Sequence, residues 1–245
     1  MIFKCLGSSS KGNGYLLTSS KGETLIIECG VSVKEVKKAL NFDLSGVVGA
    51  LCSHVHLDHI GRVKEYCTAG IDVYTESVNI PSIKIQSHRI KGIFKRCIFN
   101  LGGFKIMGFS VQHDVPCLGY LIEHCEMGRM VFITDTKFVP FNFPNLNHIM
   151  VESNYSIDLM NERLINGSLD GYLRNRVMES HLEFGVAKEF IMSNDLSQVR
   201  TICLLHLSDG NSDATRFKRE TEELTGKPTF IADTGTTIDL SLNPF

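Results

Sequence analysis

The sequence predicts an α/β fold in which two mixed β-sheets pack face to face and helices cover their outer surfaces. Strand-like and helix-like segments alternate along the chain, as they do where helices lie against sheets. The 245 residues are 43% hydrophobic, enough for one large core without a division into domains. Several histidines and aspartates directly follow apolar runs, where strand ends can hold them in place. We therefore expect one domain, residues 1–245, built as a four-layer αββα sandwich.

Short apolar runs predict the strands, and apolar residues at helical spacing predict the helices. The expected strands are 1–6, 14–19, 24–28, 46–52, 71–75, 103–111, 117–123, 129–134, 147–152, 199–206, 229–233 and 236–240, and the expected helices are 33–41, 59–69, 182–193 and 212–225. Ser32 and Glu35 have the spacing of a capping box at the start of the first helix. Gly226 should end the last helix. The polar segment 155–180 is expected to be an irregular insertion facing the substrate, and no internal repeat is evident.

The most informative segment is Ser53–His59, which contains the pattern H-x-H-x-D-H directly after the apolar run 46–52. Its imidazole and carboxylate groups, on His54, His56, Asp58 and His59, are the donors that borderline divalent ions such as Zn²⁺ prefer. If these side chains were buried without such a partner, each polar tip would need its own hydrogen bond. The pattern therefore favours a metal site over a polar surface loop.

This motif is the signature of the metallo-β-lactamase-fold hydrolases, and nearly the whole chain resembles the ribonuclease Z/YycJ-like branch of that family. Three further candidate ligands follow in the family's order, each after an apolar run: His113, Asp135 and His206. The resemblance implies two divalent cations, zinc or alternatively manganese. It assigns His54, His56 and His113 to the first, and Asp58, His59 and His206 to the second. Asp135 would bridge the two.

Other residues resemble parts of the same branch. His181 stands where these relatives place a histidine at the scissile phosphate, so we expect it to be a catalytic proton donor rather than a ligand. Asp58 is expected to orient the attacking water as well as to bind metal. Glu152 would orient a ligand histidine or serve in a turn. The Gly/Ser-rich segment 7–14 is expected to lie near the metals or to form an ordinary hairpin loop.

The overall charge bears on the substrate. Twenty-five Lys and Arg face 27 Asp and Glu, a net charge of −2, whereas proteins that bind duplex nucleic acid usually carry a basic surface. The one enriched segment, 84–96, would grip phosphates or form a solvated face. We therefore expect a small anionic nucleotide substrate.

Three functions remain open. The chain resembles phage anti-Pycsar phosphodiesterases, which hydrolyse cyclic nucleotide signals such as cyclic CMP and cyclic UMP and so evade host anti-phage defence. It also resembles the YycJ/WalJ exonucleases, whose substrate is DNA. The third hypothesis is a non-catalytic metal- or nucleotide-binding protein. A protein of that kind would be expected to have lost metal ligands, but the motifs here keep all seven candidates. The ligand set itself favours phosphodiester hydrolysis over β-lactam or thioester cleavage.

The sequence also predicts the protein's surroundings. No apolar run is long enough for a membrane span. Eight scattered cysteines without a C-x-x-C pair favour buried, reduced thiols and a cytoplasmic location, the host cytoplasm if the chain is phage-encoded. The resemblance further implies a homodimer whose partner closes the substrate pocket, with segments 76–99 and 155–180 forming the wall.

Overall fold

Two seven-stranded sheets form the centre of the structure, a computed structural model that describes residues 1–243. The first sheet contains β1 (Ile2–Gly7), β2 (Gly14–Thr18), β3 (Thr24–Ile27), β4 (Val47–Leu51), β5 (Val73–Glu76), β6 (Ile90–Ile93) and β14 (Thr237–Asp239). The second contains β7 (Ile98–Leu101), β8 (Phe104–Val111), β9 (Cys117–His124), β10 (Gly128–Ile133), β11 (His148–Glu152), β12 (Thr201–Leu205) and β13 (Thr229–Ile231).

The two sheets repeat one strand order. In the first, β1 to β3 form an antiparallel meander, and β4, β5 and β6 then add in parallel. In the second, β8 to β10 form the meander, and β11, β12 and β13 add in parallel. The remaining strands, β14 and β7, pair with the first strand of each meander. This repeat was not predicted, because it lies in strand order and direction rather than in a recurring residue pattern.

Helices cover both outer faces. The helices are α1 (Val33–Ala39), α2 (Leu57–Ile60), α3 (Val63–Thr68), α4 (Ile157–Ile165), α5 (Gly171–Ser180), α6 (Phe184–Ser193) and α7 (Ala214–Thr225). Val36 of α1 and Tyr66 of α3 are buried against the first sheet, and Phe190 of α6 and Phe217 of α7 against the second. A third apolar cluster, which includes Phe3, Phe104 and Phe132, fills the space between the sheets. The expected αββα sandwich is therefore confirmed.

Some local expectations were wrong. Segment 155–180 is mostly helical, as α4 and α5, and Asp170 caps α5 by accepting a hydrogen bond from the Leu173 amide at 2.8 Å. The capping box at Ser32 does not form: its side chain makes no cap bond, and Glu65 accepts from the first amide of α1 instead. The expected helix 59–69 is divided into α2 and α3, and strands β6 and β7 were missed.

No helix among residues 1–243 is long and apolar enough to cross a membrane. All eight cysteines are free thiols, and five of them are buried: Cys5, Cys29, Cys52, Cys117 and Cys203.

A buried histidine in the core gives a pH prediction. His148 on β11 is 1% exposed and its Nε2 lies 3.1 Å from the Met127 carbonyl oxygen. Burial lowers the pKa of His148 to about 4 because the cation is poorly solvated there. The unfolded chain therefore binds the proton more readily, so stability should fall as the pH drops from about 6.5 towards 4. The loss from this group should approach about 3 kcal/mol.

Chemical denaturation of the wild type and His148→Gln, both in excess chelator, checks this expectation. The variant should lose less unfolding free energy than the wild type between pH 7 and 4.5. The exposed His88 provides the matched control, His88→Gln, which should follow the wild type. Parallel pH curves for the wild type and His148→Gln would contradict the prediction.

Candidate metal centre

The candidate ligands meet at one edge of the sandwich because they follow strands that end there. His54 and His56 come after β4, Asp135 after β10 and His206 after β12, all strands with parallel neighbours. The carboxyl ends of parallel strands share an edge, and that edge is where ligands usually bind in such sheets. The structure brings all seven sequence-predicted ligands together there, in two groups that share Asp135.

The first group contains His54, His56, His113 and Asp135, whose donor atoms lie within 4.8 Å of one another. The His113 Nε2 and His56 Nδ1 atoms are 3.2 Å apart. His54 is fully buried, and its Nε2 lies 3.9 Å from Asp135 Oδ2. This is the grouping expected for the first metal.

The second group contains Asp58, His59, Asp135 and His206. His59 Nε2 lies 3.3 Å from both Asp58 Oδ2 and Asp135 Oδ1. On the other side, His206 Nδ1 lies 2.8 Å from Asp135 Oδ1. Asp135, 2% exposed, therefore directs one carboxylate oxygen to each group.

The donor set fits divalent cations. Bonds of 2.0–2.1 Å around a tetrahedral ion place neighbouring donors roughly 3.3 Å apart, close to the separations of 3.2 and 3.3 Å observed here. In addition, His54 Nε2 and His206 Nδ1 are buried without a well-aligned hydrogen-bond partner in residues 1–243. Buried polar atoms are costly when unpaired, and a coordinated cation would satisfy both.

The charges of these residues also suit a cation. Burial alone would keep Asp135 neutral, but attraction to His206 and His59 lowers the pKa of Asp135 well below its usual value. Burial, reinforced by repulsion from His59, holds the pKa of His54 well below the usual value, so this ring offers a lone pair. Burial opposes the cation of His206, yet Asp135 raises the pKa of His206 to about 10. A cation at this ring would therefore displace a proton.

The backbone at this edge is strained. Asp135 and His206 have φ angles of 36° and 51°, in the left-handed region that side chains other than glycine rarely adopt. Such conformations cost about 1–3 kcal/mol each and persist where neighbours enforce them, mostly at functional sites. Here Ser8 Oγ accepts from the His206 amide at 2.8 Å, and Asn154 Nδ2 donates to the His206 carbonyl at 2.9 Å.

The Gly/Ser-rich segment 7–14 supports the second group of ligands. Its Asn13 Nδ2 lies 3.0 Å from His59 Nε2 and 3.2 Å from Asp58 Oδ2. The Asn13 amide also donates to the Asp58 carbonyl at 2.7 Å. Gly30 permits this close approach, because a Cβ there would lie 1.7 Å from the Asp58 carbonyl oxygen. This segment thus positions ligands through its Asn and Ser side chains.

Sequence reasoning missed Glu28. This residue follows β3 with a φ of 69°, is fully buried, and places Oε2 3.4 Å from His59 Nδ1. This is an ion contact rather than a hydrogen bond, yet a carboxylate facing the far nitrogen of a ligand histidine favours the tautomer that has its proton there. The available signal was an acidic residue at the end of the apolar run Thr24–Ile27, where an unpaired charge would be unfavourable.

We expect Glu28→Gln to weaken divalent metal binding about 10- to 100-fold, the usual effect of losing such a partner. Titration against a chromophoric chelator measures this change. Glu23→Gln is the matched control, since Glu23 contacts the Gly103 amide and lies outside both groups. Equal affinities for Glu28→Gln and wild type would contradict the assigned role.

His181 and Glu152 form a pair beside the shared carboxylate. Glu152 is fully buried at the end of β11, and its Oε1 lies 2.7 Å from His181 Nδ1. Its Oε2 accepts from the Thr136 and Leu182 amides, both at 3.0 Å. Burial opposes the His181 cation, but attraction to Glu152 outweighs it and raises the pKa of His181. The donor groups of Asp135, Glu152, His181 and His206 also lie within 4.8 Å of one another, so the geometry by itself leaves His181 within reach of a cation.

Sequence comparisons identify related proteins. Residues 7–97 match the family model described as "Anti-Pycsar protein Apyc1". Exodeoxyribonuclease WalJ of Streptococcus pneumoniae is 24% identical over 230 residues, covering 86% of this chain and 82% of WalJ. Anti-Pycsar protein Apyc1 of Bacillus phage 010DV004 is 43% identical over 53 residues, covering 22% of this chain and 21% of that protein. The chain is therefore similar to proteins of the YycJ/WalJ type and, over residues 7–97, to the anti-Pycsar type.

Structural comparisons show the fold. The metallo-β-lactamase-fold protein YhfI of Bacillus subtilis has a TM-score of 0.71 at 18% identity and covers 97% of this chain and 99% of its own. Zn²⁺-bound PqqB of Methylobacterium extorquens has a TM-score of 0.72 at 13% identity. The match covers 98% of this chain and 100% of the PqqB chain. The chain therefore has the metallo-β-lactamase fold.

Proposed function

We propose that this metallo-β-lactamase-fold protein is a two-metal phosphodiesterase that hydrolyses cyclic nucleotides of the cyclic CMP and cyclic UMP type. The observation that carries the proposal is the pair of His/Asp groups sharing Asp135, with the His181–Glu152 pair beside them. When bound, two such cations lower the pKa of water and neutralise charge on phosphoryl oxygens. Zinc is the first candidate metal and manganese the second.

The chain's own residues have complementary roles in this proposal. Asp58 is held by Asn13 and keeps its carboxylate 19% exposed, so it can orient the attacking water as well as bind a cation. His181 is 20% exposed and donates a proton to the leaving oxygen. Glu152 keeps the His181 ring in place through the 2.7 Å contact to its Nδ1. No side-chain nucleophile is required.

The cyclic nucleotide is proposed as substrate on three grounds. The match to the anti-Pycsar family model covers the H-x-H-x-D-H segment. The net charge of −2 is unlike that of most proteins that bind duplex nucleic acid. A cavity of 350 Å³ beside His181 and His206 has the size of a small-ligand site. Hydrolysis of such signals in an infected host would remove an anti-phage alarm.

Turnover of a substrate panel tests the proposal. The purified protein, loaded with zinc or with manganese, is incubated with cyclic CMP, cyclic UMP, cyclic AMP and cyclic GMP, and with linear single- and double-stranded DNA. The expected result is conversion of cyclic nucleotides to linear monophosphates, faster than any release of nucleotides from DNA. Degradation of DNA alone would refute the cyclic nucleotide substrate, and inertness towards all phosphodiesters would refute the phosphodiesterase.

A DNA exonuclease is the second candidate, favoured by the match to WalJ across 86% of the chain. A further observation agrees with it: a 730 Å³ groove between α1 and α3 is lined by Lys34, Lys37, Arg62 and Lys64 and by Phe42, which is 73% exposed. Basic grooves with an aromatic face suit single strands. If DNA is the substrate, the double variant Lys34→Glu/Lys37→Glu should slow its degradation and leave cyclic nucleotide turnover unaffected.

We further propose that the active unit is a homodimer. Segments 76–99 and 155–180 carry many of the exposed large apolar side chains, including Phe94 at 67%, Ile165 at 86% and Tyr172 at 82%. Contiguous exposed apolar surface marks interaction sites, and the consecutive helices α4 and α5 expose two adjacent apolar pairs, Leu164–Ile165 and Tyr172–Leu173. A two-fold partner would cover it and add a wall to the open substrate cavity.

Light scattering should therefore give about twice the 27.3 kDa chain mass. Ile165→Ser combined with Tyr172→Ser should shift the protein towards the monomer and lower its activity. Met192→Ser, at a 47% exposed position on α6, is the matched control and should remain dimeric. A wild-type monomer with full activity would contradict the proposal.

A further inference from the structure

The cavity beside His181 contains charged groups that have no role in the reaction proposed above. Arg163 and Arg176 line it together with Ser9, Asn154 and Ser208. Asp209, the single carboxylate in its lining, is 87% exposed and lies 3.8 Å from Lys11. The cavity therefore offers an excess of hydrogen-bond donors and positive charge.

The two arginines differ in how they are held. The Arg163 guanidinium donates to Asn211 Oδ1 at 2.8 Å and to the Ser168 carbonyl at 3.0 Å. It lies against Gly210, where a Cβ would approach Nη1 to 2.2 Å. Arg163 thus braces the loop that follows β12. The Arg176 guanidinium, on the exposed side of α5, makes no hydrogen bond or ion pair with any residue from 1 to 243.

The volume and the lining of the cavity bear on what Arg176 could bind. At 350 Å³ the cavity is much larger than a single phosphate needs and suits a nucleoside. Leu173 and Val177, on the same face of α5 as Arg176, supply an apolar wall for a base. His181 and His206 also line the cavity and lie among the candidate metal ligands, so the cavity adjoins the metal groups.

We propose that this cavity is the nucleoside subsite and that Arg176 reads the base. The inference rests on the proposed function, which places the phosphate of the substrate at the metal centre.

A guanidinium donates two parallel hydrogen bonds to two adjacent acceptors. Cytosine presents such a pair, O2 with N3, and guanine presents O6 with N7. In adenine N1 and N7 each lie beside the amino group and N3 has no neighbouring acceptor, and in uracil an N–H lies between the two carbonyls. Among the proposed cyclic CMP and cyclic UMP substrates, Arg176 therefore favours cyclic CMP, and among the purine cyclic nucleotides it favours cyclic GMP over cyclic AMP.

Steady-state kinetics of the wild type, Arg176→Ala and Arg176→Lys test this proposal. The ratio of kcat/KM for cyclic CMP over cyclic AMP should be roughly 5- to 150-fold in the wild type, the range for one bidentate base contact. This ratio of kcat/KM values should approach one in both variants, because lysine keeps the positive charge but cannot donate two parallel hydrogen bonds to one base. Arg219→Ala is the control, because Arg219 is 64% exposed on α7 and does not line the cavity. This variant should keep the wild-type ratio.

Bis(4-nitrophenyl) phosphate, a diester without a base, tests the proposed phosphodiesterase activity independently of base recognition by Arg176. If the wild type hydrolyses it and cyclic nucleotides but Arg176→Ala keeps the base ratios, the nucleoside subsite is wrong and the phosphodiesterase stands. An equal loss for all four cyclic nucleotides in Arg176→Ala would show that the guanidinium does not read the base, and would also overturn the inference. A wild type inactive on every diester would refute the proposed function itself.

Discussion

Replacement of Asp135 by alanine is expected to remove bound divalent metal and to reduce phosphodiester hydrolysis to background. Asp135 belongs to both His/Asp groups, with one carboxylate oxygen 3.3 Å from His59 Nε2 and the other 3.9 Å from His54 Nε2. Without it, each group would lose its shared anion, and the buried histidines would face a cation with less charge to balance it. Metal analysis after gel filtration and turnover of a cyclic nucleotide measure the two effects.

The fold should survive this change. The apolar clusters between and outside the sheets do not include Asp135, so circular dichroism should retain the β-sheet signal. Asp233 provides a matched control, since it also stands in an Asp-Thr turn after a strand but is exposed and belongs to neither group. Asp233→Ala should keep its metal and its activity. Two metals per chain in Asp135→Ala would refute the shared ligand.

Much of this site could be predicted from the sequence because its ligands follow strands. His54 to His59 lie in one short segment, and His113, Asp135 and His206 each end an apolar run that periodicity identifies as a strand. The carboxyl ends of strands that run in the same direction share an edge of the sheet. β8, before His113, runs in the direction of β10 because both pair antiparallel with β9. Glu28 obeys the same rule, after β3, but a lone glutamate has no spacing pattern to mark it.

The helices and strands that were not predicted have few buried residues, so their sequences show little apolar periodicity. In α5 only Ser180 is buried, so its residues show no apolar stripe for periodicity to detect. Strands β6 and β7 lie at sheet edges and alternate weakly between exposed and buried positions. The basic residues of segment 84–96 lie within or beside β6, and charges at a sheet edge discourage pairing with another chain. Arg89 is also paired with Asp72 at 2.8 Å, which favours a structural role.

His181→Ala is expected to leave the metal content unchanged and to slow hydrolysis of cyclic nucleotides about 10²–10⁴-fold, the usual contribution of a general acid. The ring is oriented by Glu152, 2.7 Å from Nδ1, and the side chain is 20% exposed and lines the 350 Å³ cavity. An alkoxide leaving group needs a proton, whereas 4-nitrophenolate leaves readily without one. Loss of a general acid should therefore slow cyclic nucleotides far more than bis(4-nitrophenyl) phosphate.

The same variant decides between a proton donor and a ligand. If His181 binds metal, as its distance to Asp135, Glu152 and His206 would allow, His181→Ala should lose metal and slow both substrates alike. Glu152→Gln separates the roles further. It keeps a hydrogen-bond acceptor near Nδ1 but removes the charge that favours the protonated ring, so it should reproduce part of the substrate-dependent loss. His88→Ala, at an exposed position, should behave as the wild type on both substrates. If His181→Ala contains less metal and loses activity equally on both substrates, His181 is an eighth metal ligand and not the general acid.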